Sequence, residues 1–535
     1  MSKSIKNKVV SLIALTILTV TLLINASISL SLSQATQQAP TTVNKQIPAT
    51  TAREITSCTV IDSPGVYVLT QDIAGTYPGE EWCIKINASN VVLDGQGHSI
   101  TGIGQVNQTQ VSMGMSIFIE CVSNVTIRNI KITQYLGGVF ITTSNNVKIE
   151  NSEIINNYLG IGIAYSPHSA VTNNTIVGGE VELPPEASFY KSGVLLFDSN
   201  NSYIVGNKFI NSGLSIWRSY DNVVENNLVN GKPLIYLEKA ENVTIDYLVG
   251  QVIAVRSVNI TVTNIVIENT SVGITFIDTF YSKIENTVIA NNHFEGIHLE
   301  RSFNNSIINN IIANNHIGIG LWDSHYNEIT DNIIVNNTYF GIMWLNSGGN
   351  YIYNNFFNNT ANVVNETEGW QDWNTTLAPG RNIVGGNWIG GNYWATPNGT
   401  GYSQVCRDVE EPIGICDQPY VINRYNIDYS PLAGPVLIPV PTIITTTTQA
   451  TTTTTLPTVT TTKTPTNNET FTWILTTTLP TTPTVTSTST SISTAAEKPT
   501  STAHPAVSDY TTWIVAGGVL ALIAVGLLIV LLKRK

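Results

Sequence analysis

Residues 282–360 read SKIENTVIANNHFEGIHLERSFNNSIINNIIANNHIGIGLWDSHYNEITDNIIVNNTYFGIMWLNSGGNYIYNNFFNNT, one phrase said repeatedly. Each phrase is a short apolar run, an Asn pair, a Gly, a second apolar run and a polar turn. Gly273, Gly296, Gly318 and Gly341 mark the same point in successive phrases, 23, 22 and 23 residues apart by subtraction. A fixed period of this length is the signature of a solenoid, in which each repeat buries its apolar face only against its neighbours.

Columns taken from these glycines show which kind. The first residue after the Gly position is Val139, Ile161, Val194, Leu214, Leu234, Val252, Ile274, Ile297, Ile319 and Ile342. The third is Ile141, Ile163, Leu196, Ile216, Tyr236, Ala254, Phe276, Leu299, Leu321 and Trp344. Alternate residues of a strand share a face, so both columns point inward. Gly, Asn and β-branched residues interrupt the apolar runs too often for helices, which leaves short strands. The fold class is therefore all-β: a right-handed parallel β-helix of about eleven or more coils, a rod roughly 50 Å long at ~4.8 Å per coil. A helical solenoid or a leucine-rich horseshoe is the alternative.

A further column holds Asn129, Asn151, Asn173, Asn226, Asn264, Asn286, Asn309 and Asn354, interrupted by Gly206, Tyr247 and Asp331. These asparagines read as an inward ladder of stacked amides, each bond contributing about 1 kcal/mol net. On that register Asn173, although in a sequon, is buried and unglycosylated. The step from Asn173 to Gly206 is 33 residues, so residues 178–192 (GGEVELPPEASFYKS) form a loop leaving the coil. The step from Tyr247 to Asn264 is 17, a shortened coil.

The ends of the chain place it. Lys3, Lys6 and Lys8 precede an apolar run from Val9 to Ile24, and Ser33–Gln34–Ala35 follows, which reads as a secretory signal over residues 1–35, with an uncleaved anchor as the alternative. Residues 36–54 are a loose leader, 55–115 an N-terminal cap with the first coils, 116–363 the repeats and 364–435 a C-terminal cap region. Residues 436–509, rich in Thr, Ser and Pro, read as an O-glycosylated stalk. Residues 510–535 hold an apolar segment, Trp513 to Leu532, long enough to cross a bilayer, and end in Lys533, Arg534 and Lys535. The expected protein is single-pass, in the cell membrane, with the bulk of the chain outside. Sequons headed by Asn87, Asn124, Asn242, Asn259, Asn304 and Asn336, among others, suit an exterior domain.

Composition narrows the partners. Of 535 residues 12% are charged, with a formal net charge of −12, so no basic footprint for nucleic acid exists. Five cysteines are too few for a disulfide-built fold. Bridges Cys58–Cys83 and Cys406–Cys416 at the two ends are the simplest accounting, with Cys121 a buried filler.

Three segments carry a family resemblance: Cys58–Tyr67 (CTVIDSPGVY), Cys83–Gly102 (CIKINASNVVLDGQGHSITG), and an ending made of Gly391–Trp394 (GNYW), Pro419–Ile422 (PYVI) and Asp428–Leu432 (DYSPL). Over roughly residues 55–435 the chain resembles the β-helix family named after the periplasmic copper-binding protein NosD, whose repeats also occur in carbohydrate-binding and sugar-hydrolase proteins. Its layout is similar to archaeal surface proteins with a Thr-rich stalk and one C-terminal helix. The resemblance implies the fold more than the activity. Cys406–Cys416 (CRDVEEPIGIC) stands where the family often has an acidic, Gly-spaced loop. Copper, suggested by the family's name, is rejected because clustered His, Cys or Met is lacking; no metal or other cofactor is expected.

The expected partner is a polysaccharide or a surface glycoprotein, with three functional readings open. Phe197, Trp217 and Trp322 lie in an outward fourth column, an apolar stripe fit to stack on sugar rings, unless the loop at 178–192 or a second protomer covers it. Asp278, Glu300 and Asp323 are candidate carboxylates for glycoside hydrolysis or lyase chemistry. Arg301 stands between Asp278 and Asp323, with Glu300 close by, and would keep both ionised, against the raised pKa that a general acid needs. The fifth column, Asp198, Arg218, Glu238, Arg256, Asp278, Arg301, Asp323 and Asn346, reads as an ion-pair ladder fixing the coil register. A purely structural envelope role is the third reading.

Overall fold

The computed structural model describes residues 52–434, apart from Tyr77 and residues 103–111, 180–190 and 365–368. The signal, most of the leader, the tip of the 178–192 loop, the stalk and the anchor lie outside the described residues. Within them the chain is strand and turn, with one helical turn at Tyr402–Val405. Among the described residues no helix is long and apolar enough to cross a membrane.

Strands of three to nine residues stack in parallel, each pairing with the strand one coil on. Val139, Ile161, Val194 and Leu214 are register partners, as are Ile274, Ile297, Ile319 and Ile342. Both inward columns are buried almost throughout. The inserted loop returns to register, since Leu159 pairs with Ser192. The shortened coil is also real: Val243 pairs with Ile260.

The coils do not form one uninterrupted rod. After Leu228–Val229 the chain turns at Asn230–Gly231, with φ of 51° and 77°, and Lys232–Glu238 runs back antiparallel. Two successive left-handed residues make the tight turn of a β-hairpin, and Asn-Gly is the pair that adopts it most readily. A second stack starts from that returning strand, in which Ile235 partners Val252. The column that ran from Leu214 through Leu234 to Val252 is therefore broken at the turn and displaced by one residue.

The second stack closes the end of the first. Ile253, Val255 and Ile277, outward on their own sheet, join the core of the first stack beside Ile216, Val229 and Leu234. Gln251 binds the edge strand Leu214–Trp217: its Oε1 accepts from the Leu214 N–H at 3.0 Å and its Nε2 donates to the Leu214 carbonyl at 2.6 Å. An open sheet edge is thereby satisfied by a side chain. At the far end of the second stack Trp344, Trp373, Trp394, Tyr420 and Tyr402 pack ring against ring as a cap.

The amide ladder sits one residue beyond the column assigned to it. Asn129, Asn151, Asn173, Asn226, Asn264, Asn286 and Asn309 are exposed, and their φ values lie between 50° and 57°. They occupy the left-handed corner where the chain passes from one sheet to the next. Gly206 and Asp331, which interrupt the column, share that conformation at 71° and 58°. Asn, Asp and Gly recur there because they tolerate it. The buried ladder is the following residue: the backbone N–H of Ser152, Asn174 and Asn207 donates to the side chain of Asn174, Asn207 and Asn227 in turn. In the second stack the series runs Thr287, Asn310, Asn332, Asn355, Asn392 and ends on Asp428. Asn173 is thus exposed, and burial gives no reason for its sequon to stay unmodified.

Both disulfides form as expected, Cys58–Cys83 and Cys406–Cys416. Cys121 is exposed rather than buried, because it takes a left-handed corner, φ 55°, with its side chain to solvent.

Candidate functional site

Two constellations carry the nominated residues, and they differ in access. The first lies where the stacks meet. Outward residues of Ser192–Phe197 and Leu214–Trp217 pack with Val272, Phe294 and Ile317 of the second stack. Phe197 is 1% and Trp217 5% exposed, so the stripe proposed as a sugar-stacking face is an internal seam. The cover is the second stack itself. Trp322 is half-buried in the same cluster, 5.3 Å from Trp217 between ring centroids.

Buried charge lies against that seam. Glu295, His298 and Glu300 are all buried on the strand Glu295–Glu300. His298 Nδ1 bonds the Glu295 carboxylate, the Trp217 ring lies 4.5 Å from the imidazole, and Trp322 Nε1 donates to Glu295 Oε1 at 3.0 Å. His298 Nε2 is 3.9 Å from Glu300 Oε2. Burial alone would depress the imidazole pKa, but the Glu295 and Glu300 carboxylates more than reverse that and raise it to about 9. Burial raises Glu300, and His298 with Arg301 overcomes it, so its pKa is lowered. Arg301 donates to both oxygens of Asp278, at 2.9 and 3.1 Å, and to Glu300. Tyr220, from the end of the first stack, donates to Asp278 at 2.8 Å.

This network couples the stacks and leaves the nominated carboxylates engaged. Arg301, expected between Asp278 and Asp323, bonds Asp278 and Glu300 instead. Asp323 is half-buried, raised in pKa by burial, and bonded to Asn346. Members of the fifth column pair with one another only within a stack, Arg218 with Asp198, Arg256 with Glu238 at 3.8 Å and Arg301 with Asp278, while Arg256 also reaches Asp221 of the first stack at 3.2 Å. Arg218 and Glu238, adjacent in sequence order, fall on opposite sides of the hairpin.

The second constellation is an exposed corner of the second stack. Phe280, Phe303 and His325 stack face to face, with centroid spacings of 5.7 and 5.4 Å and interplanar angles of 4° and 6°. Tyr281 and Tyr326 follow at left-handed corners, φ 52° and 57°, and project to solvent. Tyr326 is 57% and Trp370 53% exposed. They converge on Gly349, where a Cβ would stand 2.9 Å from the Tyr326 ring and 3.4 Å from the Trp370 ring. With φ at 67° as well, that position requires glycine twice over. Asp323, two residues before His325, bonds Asn346, and His325 Nδ1 lies 3.0 Å from the Gly348 amide nitrogen and 3.2 Å from its carbonyl oxygen.

Reading the fourth column alone missed this corner. Its signal was present three and four residues further on, in Phe280–Tyr281, Phe303 and His325–Tyr326. His293 and His316 do not stack on each other. His293 Nε2 faces the Asn211 carbonyl, burial pulling its pKa down to about 4, while His316 lies between Phe294 and Tyr339.

Residues 234–399 match the family described as periplasmic copper-binding protein (NosD), and residues 115–247 the one described as right handed beta helix region. Together the two matches cover residues 115–399, within the β-helix. Among the described residues no group of three or more His, Cys, Asp or Glu side chains is placed to hold a metal ion. No curated protein matches the sequence. Among solved structures the β-helix is similar to the Dettilon tailspike protein gp208, at 14% identity and TM-score 0.27 over 60% of each chain. It is similar to the A-module of the Azotobacter vinelandii mannuronan C-5 epimerase AlgE6, at 13% and 0.25 over 57% of this chain and 78% of that one. PfbA, a surface adhesin of Streptococcus pneumoniae, is similar at 13% and 0.32 over 56% and 82%. The match spans 60% of the tailspike's length, and at this distance the likeness carries no chemistry across.

Proposed function

We propose that this chain is a membrane-anchored surface protein whose β-helix binds polysaccharide along the aromatic corner of its second stack. The observation that carries the reading is the pair of solvent-facing rings, Tyr326 and Trp370, set side by side over Gly349. Flat exposed aromatic faces beside a carboxylate and an amide suit a pyranose ring. The apolar side of the sugar lies on the rings while Asp323 and Asn346 accept and donate hydrogen bonds to its hydroxyls. Binding is favoured over cleavage because Asp278 and Glu300 are held by Arg301 and Glu300 is buried, so that Asp323, whose pKa burial raises, has no free second carboxylate among the candidates to act with it. A general acid needs a raised pKa and reach of the glycosidic oxygen.

Surface placement is supported by the N-terminal apolar run, the Thr-rich stretch, the segment Trp513–Leu532 read as a single membrane-spanning helix, and two disulfides that suit an oxidising exterior. Protease treatment of intact cells should release the β-helix from the membrane fraction; a protected chain refutes the placement. On a polysaccharide array, Tyr326→Ala and Trp370→Ala should each lose binding by tenfold or more. Retained binding in both would refute the site.

A further inference from the structure

The charges around this corner set the class of its ligand. Between Arg301 and Arg381 the chain contains no Lys or Arg. The coils bearing Phe280, Tyr281, Phe303, His325, Tyr326 and Trp370 therefore hold two cationic side chains, Lys283 and Arg301, and both are engaged. Lys283 pairs with Glu285 at 2.6 Å. Arg301 is shared between Asp278, Glu300 and the Tyr220 hydroxyl. Arg424 stacks on Tyr425 at the tip of the C-terminal hairpin, whose Asn426 bonds Gly369 and Gln371 on either side of Trp370.

Carboxylates outnumber these cations. Asp323 stands beside the stacked rings with an amide, Asn346, as its partner. Glu328, two residues past Tyr326, accepts from the Tyr353 hydroxyl at 3.1 Å. Asp331 is half-buried and bonded to Asn354. Glu328 and Asp331 form no ion pair among the described residues, and Arg301, the guanidinium that acts on Asp323, is already committed to Asp278 and Glu300. A ligand carrying a carboxylate or sulfate on every sugar would bring like charge to this face, where the cations of these coils are already committed to carboxylates, and recognition of such groups rests on free guanidinium or ammonium side chains.

Resting on the binding reading above, we infer that the corner takes a neutral polysaccharide, whose hydroxyls donate to Asp323, and discriminates against polyuronates and sulfated glycans. Selectivity here comes from an absence of compensating charge as much as from the contacts made. Repulsion is screened by salt, whereas stacking and neutral hydrogen bonds are nearly indifferent to it. Ionic strength therefore separates the two classes.

The test is affinity electrophoresis and calorimetry on the full chain, with laminarin and mannan as neutral probes and alginate and pectate as anionic ones, at low and high salt. Trp370→Ala serves as the marker of the site. The expected result is Trp370-dependent binding of a neutral probe, unchanged by salt, with the anionic probes at least tenfold weaker at low salt. Asn346→Lys, which places a cation beside Asp323, should narrow that gap. Trp370-dependent binding of alginate or pectate as tight as the neutral probes would overturn the inference and leave the site standing. Absence of Trp370-dependent binding to all four would remove the site, and the inference with it.

Discussion

Replacing Asn310 by Leu tests the ladder where it departs from the sequence reading. Asn310 is buried, and its Oδ1 accepts from the Thr287 N–H at 3.0 Å. Its Nδ2 donates to the Ile284 carbonyl at 2.9 Å and to Asn332 Oδ1 at 3.0 Å. Leucine keeps the branched heavy-atom outline of asparagine but is larger, so overpacking adds to the loss. It leaves the Thr287 N–H without an acceptor and the Ile284 carbonyl without that donor. Asn332 Oδ1 keeps the Asn310 backbone N–H at 2.9 Å. Each orphaned buried group costs about 1–3 kcal/mol, and the extra apolar burial offsets part of that, so the net loss is about 2–4 kcal/mol.

Asn309, one residue earlier, is the control. It is exposed at φ 56°, and its Nδ2 donates to Asn286 Oδ1 at 2.6 Å in solvent. Asn309→Gly keeps the left-handed turn and should change stability by less than about 0.5 kcal/mol. Urea unfolding gives the totals, and hydrogen exchange reads the site. Loss of the Thr287 acceptor should speed exchange of its amide about a hundredfold, since every 1.4 kcal/mol is about tenfold. If Asn309→Gly proves the costlier change, or the Thr287 amide exchanges at its normal rate in Asn310→Leu, the assigned register is wrong.

Other expectations concern the seam, the buried charges and the N-terminal bridge. Trp217→Ala should cost about 3–5 kcal/mol in unfolding experiments while leaving polysaccharide affinity intact, because the ring joins the stacks rather than meeting ligand; lost affinity in a folded variant would contradict this. His298 is raised from 6.5 to about 9 on folding. Its contribution, at most about 3 kcal/mol, is fully present below pH ~6.5 and lost as pH rises through 9. His298→Gln should flatten that slope, and a slope unchanged by the substitution would assign it elsewhere. Replacing Cys58 and Cys83 by Ser opens a loop of 25 residues and should lower stability by about 3 kcal/mol, read by urea midpoint; no shift would show that the bridge does not constrain the unfolded chain.

The repeat, both inward columns, the inserted loop and the two bridges were legible because each depends on spacing along the chain. Strand alternation converts position directly into face, and a coil of constant length carries that from one repeat to the next. Which residue of an Asn pair turns inward was not legible in the same way. Both members are asparagine at many corners, one because the backbone is left-handed and the other because a buried N–H needs an acceptor. Spacing alone cannot tell them apart. The interruptions could: Gly206 and Asp331 share with Asn a tolerance of positive φ, and neither would serve as a neutral amide inside the ladder.

The larger difference, a rod against two stacks, follows from two residues. Asn230–Gly231, between Leu228–Val229 and Lys232–Glu238, is the strongest short-range signal for a hairpin, yet a period that resumes on both sides hides it. Had the coil continued, a parallel strand would have been laid beside Leu214–Trp217, and Phe197 and Trp217 would face solvent beside Trp322 as an aromatic stripe. With the chain turned back, the second stack lies over that stripe. The same turn brings Tyr220 to Asp278 and Arg301, and Trp217 to His298. Burial of the stripe and the contacts that Tyr220 and Trp217 make with Asp278, Arg301 and His298 are thus one event. It is a change of strand direction, which side-chain columns cannot register because they record faces and not the way the chain runs.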